Sequence, residues 1–216
     1  MEKILTASSQ PIVRTDWPQA LPVLSAGRVV LRELRREDAT SLCALLSTEE
    51  VARFISPPPT TVDGFERFFQ FVHAQRAAGE HVCFAVTLEG FETAIGIFQV
   101  RRLDTSFQLA EWGFATAEWG FAIGSAFWGT GVFRTGAELM MHLAFDVIGV
   151  HRLEARACLT NSRGNAALRK IGAVQECILH RALLRDGVWL DQAMYAILDG
   201  DHVARKTRRL TAPRLH

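Results

Sequence analysis

The residues whose types and spacing could do chemistry are concentrated between positions 111 and 165. Phe121-Ala122-Ile123 closes an apolar run, Trp128-Gly129-Thr130-Gly131 brings two glycines close together, and Val132-Phe133-Arg134 begins a stretch of helical period. A strand that enters a glycine turn and then a helix N-terminus is a device for holding phosphate. Glycine lets the backbone approach the anion and adopt conformations closed to other residues. The unpaired amides and the positive end of the helix dipole then face the negative charge, and Arg134 adds a cation. Two glycines in a turn are equally compatible with a plain strand-to-helix connection. A carboxylate, Glu118, precedes the turn. It has a counterpart in Glu111, because Glu111-Trp112-Gly113-Phe114-Ala115 recurs as Glu118-Trp119-Gly120-Phe121-Ala122. Asn161 stands where a side-chain oxygen would cap the following helix.

The elements that must position these groups can be read along the chain. Residues 1–20 hold no sustained period and read as an extended arm, 21–200 as one domain, and 201–216 as a basic tail. Arg28 to Leu34 reads as a strand, after which Asp38 is expected to cap a helix from Ala39 to Leu46. A second helix is expected from Val62 to Ala78, closed by Gly79. Phe65, Phe68, Phe69 and Phe71 are spaced along it as core residues. Val82 to Leu88 and Ala94 to Arg102 form a strand pair, and Ala117 to Gly124 a strand. An amphipathic helix follows the glycine turn to about Val147. Arg152 to Leu159 is a strand, Asn161 to Ile171 a helix, and Val174 to Leu198 a hairpin turning at Arg185-Asp186-Gly187. This order predicts an α/β (α+β mixed) domain with helices on the faces of a mixed sheet.

Composition narrows the function classes. The 216 residues, 24 of them Lys or Arg and 23 Asp or Glu, carry a formal charge of +1. That balance makes no case for a nucleic-acid partner, and the Ala204 to Arg209 cluster reads as a solvated tail. No apolar run reaches the roughly 20 residues that a membrane span needs. The start of the chain has no apolar block of a secretory signal, so a cytoplasmic protein without a membrane partner is expected. Cys43, Cys83, Cys158 and Cys177 are too dispersed for a zinc, iron–sulfur or disulfide framework.

Taken together and in order, several segments resemble the GNAT superfamily, and more narrowly its RimJ/RimL-like members. They are Arg28 to Leu34 with Asp38-Ala39, Ala117 to Ile123, Phe127 to Gly131, Ala144-Phe145, His151 to Ala155, and Asn161 with Ala167 to Ala173. The resemblance covers residues 28–198. It implies a GNAT fold: a central, mostly antiparallel mixed sheet of about six to seven strands, splayed in the middle and flanked by about four helices. It implies acetyl-CoA as donor substrate, without a metal, and the acceptor would be a protein N-terminus or a small-molecule amine. The pyrophosphate would lie on the amides of Trp128, Gly129, Thr130, Gly131, Val132, Phe133 and Arg134. Pantetheine would pair like an extra strand with Phe121, Ala122 and Ile123, with Asn161 and Asn165 as further contacts. A homodimer is compatible with the same resemblance. The chain departs from the family at Phe133, where a small residue is usual, and at Thr135-Gly136 in place of a common glutamate. A third departure is Gly164, where a serine often stands.

An N-acetyltransferase must meet a neutral amine with a held thioester. An α-amine has a pKa of about 8, so a base has little mismatch to overcome. Glu118 is the candidate base, acting through water, with Glu111 as alternate. An amide near Ile123 is the candidate oxyanion donor. Asn165, Ser162 or Tyr195 could protonate the leaving thiolate, although Tyr195 reads as a hairpin residue with a wet hydroxyl. No Cys–His pairing is visible, which favours direct transfer. Two alternatives remain open at this stage: a non-catalytic acyl-CoA sensor and an aminoglycoside-type acetyltransferase.

Overall fold

The structure, a computed structural model, describes residues 4–6, 16–103 and 115–203. Glu111, the first copy of the repeated pentapeptide up to Phe114, and the Ala204 to Arg209 cluster lie outside the described residues. Among the described residues nine strands form a single sheet in the order β1-β2-β3-β4-β5-β6-β7-β9-β8. They are β1 (Ile4–Thr6), β2 (Val23–Ala26), β3 (Val29–Glu33), β4 (His81–Leu88), β5 (Phe91–Arg102), β6 (Ala115–Ile123), β7 (Val150–Cys158), β8 (Val174–Arg185) and β9 (Val188–Leu198). Among the described residues only the pairs β1/β2 and β6/β7 are parallel. The sheet exceeds the expected six to seven strands because part of the N-terminal arm and the residues just after it contribute β1 and β2.

The helices are α1 (Asp38–Leu46), α2 (Glu49–Ala52), α3 (Val62–Ala77), α4 (Val132–His142) and α5 (Ser162–Lys170). Period-two alternation along the strands assigns each face its own layer. On one face Val82, Phe84, Phe98, Val100, Trp119, Ile123 and Leu153 pack with Leu139, Met140 and Leu143 under α4. On the other, Cys83, Ala85, Ile97 and Ala122 pack with Leu42 and Leu46 of α1 and Phe65 and Phe69 of α3. Each fully buried side chain of this size contributes about 1.5–3 kcal/mol. Phe71 faces outward and is exposed. Among the described residues no helix is long and apolar enough to cross a membrane.

Two local expectations are corrected. Asp38 does not cap α1. Glu37 holds the cap position without a side-chain bond, and Asp38 is the first helical residue. Its carboxylate accepts from the Arg35 amide at 2.8 Å and bidentately from the Arg32 guanidinium, both bonds at 2.7 Å. That buried pairing, with the hydrogen bond to Asp38 as its main cause, holds the Arg32 guanidinium above its ordinary range. The helix after the glycine turn also changes character before Val147. Its α-helical part ends at His142, and Leu143–Ile148 continue as a π-turn.

Candidate active site

The site is built where the sheet comes apart. β6 and β7 pair in parallel only from Ala115↔Val150 to Glu118↔Glu154. Beyond that rung β6 stays on β5 as far as Gly96↔Ile123, while β7 stays on β9 as far as Cys158↔Gln192. The two strands therefore splay, and among the described residues no strand lies beside this edge of β6 from Gly120 to Ile123. The direction of its main-chain groups follows from one bond. The Gly124 amide donates to Ile95 O at 2.9 Å, toward β5. In extended backbone the amide and carbonyl of the preceding residue point the other way, so those of Ile123 and Phe121 face the cleft. Ala122 belongs to the β5 ladder, and its side chain is buried against α1 and α3.

The β6 edge runs through a 3-10 turn, Ser125–Phe127, into Trp128-Gly129-Thr130-Gly131 and α4. Gly129 and Gly131 have φ of 78° and 89°, a region where a side chain is strained. Open space surrounds both, so conformation rather than crowding requires glycine there. Thr130 Oγ1 donates to Phe127 O at 2.7 Å, and the Trp128 indole donates to Ile123 O at 2.9 Å, tying the turn to the end of β6. The Arg163 guanidinium from α5 lies 3.9 Å over the Trp128 ring, a contact between distant segments that no local pattern signals.

Gly131 caps α4 without a side chain, and the first intrahelical bond is Thr135 N to Gly131 O. The amides of Val132, Phe133 and Arg134 therefore have no partner within the helix. In α3 and α5, by contrast, Thr61 and Asn161 accept from the third amide, those of Gly64 and Gly164. No acidic residue occupies the first turn of α4. Arg134 pairs with Glu138 at 3.3 Å on the exposed face.

Phe133 does not crowd this turn. Its ring folds under α4 onto the sheet, 4.4 Å from the Phe121 ring centroid and 6.0 Å from that of Phe98. Gly136 is explained by the same packing, since a Cβ there would lie 2.4 Å from Phe98 Cε2.

The α5 side of the cleft is held by a polar network. Asn161 is the N-cap, accepting from Gly164 N at 2.9 Å. A Cβ at 164 would meet Asn161 Nδ2 at 2.5 Å, so a serine there would disturb the cap. Asn165, expected among the cofactor contacts, has its side chain buried in this network. Its Nδ2 donates to Cys158 O at 2.8 Å and Asn161 O at 2.7 Å, and its Oδ1 accepts from Tyr195 Oη at 2.8 Å. Tyr195 is corrected: the residue is fully buried, and Arg169 donates to its hydroxyl at 3.1 Å.

Glu118 occupies the fork itself, on the last rung before the strands part. Its carboxylate accepts from Arg101 at 2.6 Å, with Arg156 Nε at 3.8 Å, and its side chain is one quarter exposed. Arg152, on the same strand as Arg156, bridges Glu154 at 2.8 Å and Glu176 at 2.5 Å. The Arg152 hydrogen bond holds the Glu176 carboxyl below its ordinary range. The fork is thus lined by alternating guanidinium and carboxylate groups, with Glu118 enclosed by two cations.

Comparison with known proteins agrees with this geometry. The chain resembles an uncharacterized N-acetyltransferase, p20, of Bacillus licheniformis, with 22% identity over 84% of this chain and 99% of the relative. Its fold matches the ribosomal-protein-S5-alanine acetyltransferase of Vibrio fischeri at a TM-score of 0.71, with 16% identity, over 83% of this chain and 97% of that one. It also matches RimJ of Mycobacterium smegmatis, solved in complex with CoA-disulfide, at a TM-score of 0.68 and 19% identity, over 83% and 90% of the two chains. The model of the family described as acetyltransferase (GNAT) domain matches residues 28–174, which span the cleft, the glycine turn and α5, and the chain therefore belongs to the GNAT acetyltransferase family.

Proposed function

We propose that the chain takes an acetyl group from acetyl-CoA and transfers it to a primary amine, either a protein N-terminal α-amine or a small-molecule amine. One observation carries this reading. The unpaired β6 edge is continuous with the side-chain-free N-terminus of α4, so an extended thiol arm on the strand would deliver its phosphates to the unpaired amides. Phe121 and Ile123 offer main-chain partners to pantetheine, and the amides from Trp128 to Arg134 receive the pyrophosphate. The Ile123 amide faces the cleft as oxyanion donor. The amine nitrogen attacks the thioester carbonyl, the C–S bond breaks, and the thiolate leaves. With a thiol pKa of about 8.5 that leaving group is only mildly basic, so Gly164 is no obstacle.

Direct transfer fits the cysteines. Burial pushes the Cys83 thiol far above its ordinary value, which makes it a poor nucleophile. All four cysteines are unpaired, in keeping with a proposed cytoplasmic location where thiols stay reduced. Glu118 accepts the amine proton through water, oriented by Arg101 and Arg156. The names of the RimJ and S5-alanine relatives support the donor and an acceptor of this class.

The test is release of free CoA thiol from acetyl-CoA in the presence of short peptides and small amines, each beside its amine-blocked form. Release with free amines alone is expected. Binding of acetyl-CoA without release on any amine would replace the enzyme reading with a binding protein. Glu118→Gln should lower turnover by about 100-fold. Unchanged turnover at every pH would take Glu118 out of the mechanism.

A further inference from the structure

At the opposite end of α4 from the glycine turn, His142 Nδ1 lies 2.5 Å from Asp146 Oδ2, and His202 Nε2 lies 3.8 Å from the same oxygen. One donor atom from each residue falls within 4.8 Å of the others. His142 closes the α-helical part of α4, and Asp146 sits in the π-turn that follows it. Single-turn π segments recur at functional sites because they re-aim side chains. His202 comes from the helical turn 199–203 directly after β9, and its ring packs 5.2 Å from that of Phe145. The three side chains are between 14% and 33% exposed, so they are shielded yet reachable by a small ion.

We infer that His142, Asp146 and His202 form a binding site for a divalent first-row transition ion of the zinc class. Two imidazoles and one carboxylate are the donor set of such ions, whereas magnesium and calcium call for an all-oxygen shell. Metal–ligand bonds of about 2.0–2.2 Å in tetrahedral geometry ask for donors about 3.3 Å apart. The observed 2.5 and 3.8 Å separations bracket that value. Small side-chain rotations open the His142–Asp146 pair and draw His202 inward, and solvent completes the shell. α4 is 11 residues long, which sets the ion roughly 15 Å from the glycine turn. Its role is structural: it clamps the turn after β9 to the end of α4. The inference stands apart from the acetyl-transfer reading.

The experiment uses the full chain without a histidine tag, stripped with chelator, and titrates zinc by calorimetry and cobalt by visible d–d absorption. One ion per chain with micromolar or tighter affinity is expected. Zinc at about 100 times its Kd should raise Tm by roughly 5–10 °C. His202→Ala and Asp146→Asn should each weaken binding about tenfold or more. His73→Ala, whose imidazole lies 3.7 Å from Glu33 elsewhere in the fold, should leave it unchanged. Absence of binding, a stoichiometry other than one, or unaltered affinity in His202→Ala would overturn the assignment. Should Asp146→Asn fail to fold, His202→Ala carries the test, with folding checked by its melt in chelator.

Discussion

Replacing Gly131 separates the two reasons for a glycine at the head of α4. At φ 89° any side chain is strained, and a non-glycine residue held in such a region costs about 1–3 kcal/mol. Nothing lies within 4 Å of the added Cβ, so Gly131→Ala pays the strain without a clash. For a chain of this size 1 kcal/mol shifts Tm by about 2–4 °C, so Gly131→Ala should melt about 2–12 °C below the parent. Gly131→Glu carries the same strain. Its carboxylate recovers about 0.3–1 kcal/mol at the positive end of the helix, so without ligand it should melt slightly above the alanine variant. Acetyl-CoA reverses that order. At about 100 times Kd a ligand stabilises by about 2.7 kcal/mol, raising the parent Tm by roughly 5–11 °C. Gly131→Ala should keep a reduced rise, while Gly131→Glu, with a negative charge on the phosphate site, should lose it. The assay is a thermal melt of the three proteins with and without acetyl-CoA, supported by calorimetric titration. An equal ligand-induced rise in the Ala and Glu variants would refute pyrophosphate binding at this turn.

Tyr195→Phe removes a buried hydroxyl that donates to Asn165 and accepts from Arg169. Its expected cost is about 1–3 kcal/mol, read as the denaturant midpoint at unchanged m-value. Gly136→Ala sets a Cβ 2.4 Å from a ring atom of buried Phe98. Overpacking of about 1–3 kcal/mol should outweigh the roughly 1 kcal/mol of helix propensity that alanine adds, so the variant should melt below the parent. His81 is buried beside Gln99, and burial lowers its pKa below the ordinary value. The unfolded chain then binds the extra proton first as pH falls below about 6.5, so stability should decline from there down through the folded pKa. Melts of the parent and His81→Gln from pH 7.5 to 5 measure this, and an equally steep decline in the variant would exclude His81 as a contributor.

The order of elements was legible wherever local chemistry and tertiary packing agree. Gly79 has positive φ and follows the helical segment it was expected to close, and Gly149 and Gly172 do the same for the next two long helical segments. The alternation in β4 through β6 marks two buried faces, and both hydrophobic layers are present. Three features escaped because nonlocal partners decide them. β2 is stabilised by its register with β3 rather than by its own short sequence. Asp38 has the residue type and position of a cap, yet Arg32 six residues earlier offers a bidentate partner on the neighbouring strand, and the stronger charge-assisted pairing wins. The π-turn buries Leu143 and Ala144 in the core, and no propensity scale encodes that packing.

The same distinction runs through the site. The donor half of the proposed reaction depends on backbone, and backbone requirements leave marks in sequence: glycines where φ is positive, and no side chain to cap α4. Those residues could be named in advance. Side-chain roles could not, because a polar residue's function depends on what the fold brings to it. Asn165 and Tyr195 look equally able to touch a cofactor or to brace a wall, and it is their mutual hydrogen bond that makes them bracing. Glu118 is the intermediate case. Its place on the strand that leads to the turn could be expected, but the rung where β6 and β7 part could not, and the two guanidinium groups around it come from β5 and β7. Those two cations are placed to orient the carboxylate in the proposed reaction. With an α-amine pKa of about 8, roughly a tenth of such an acceptor is already neutral at pH 7, so the base of the proposed reaction has little mismatch to overcome.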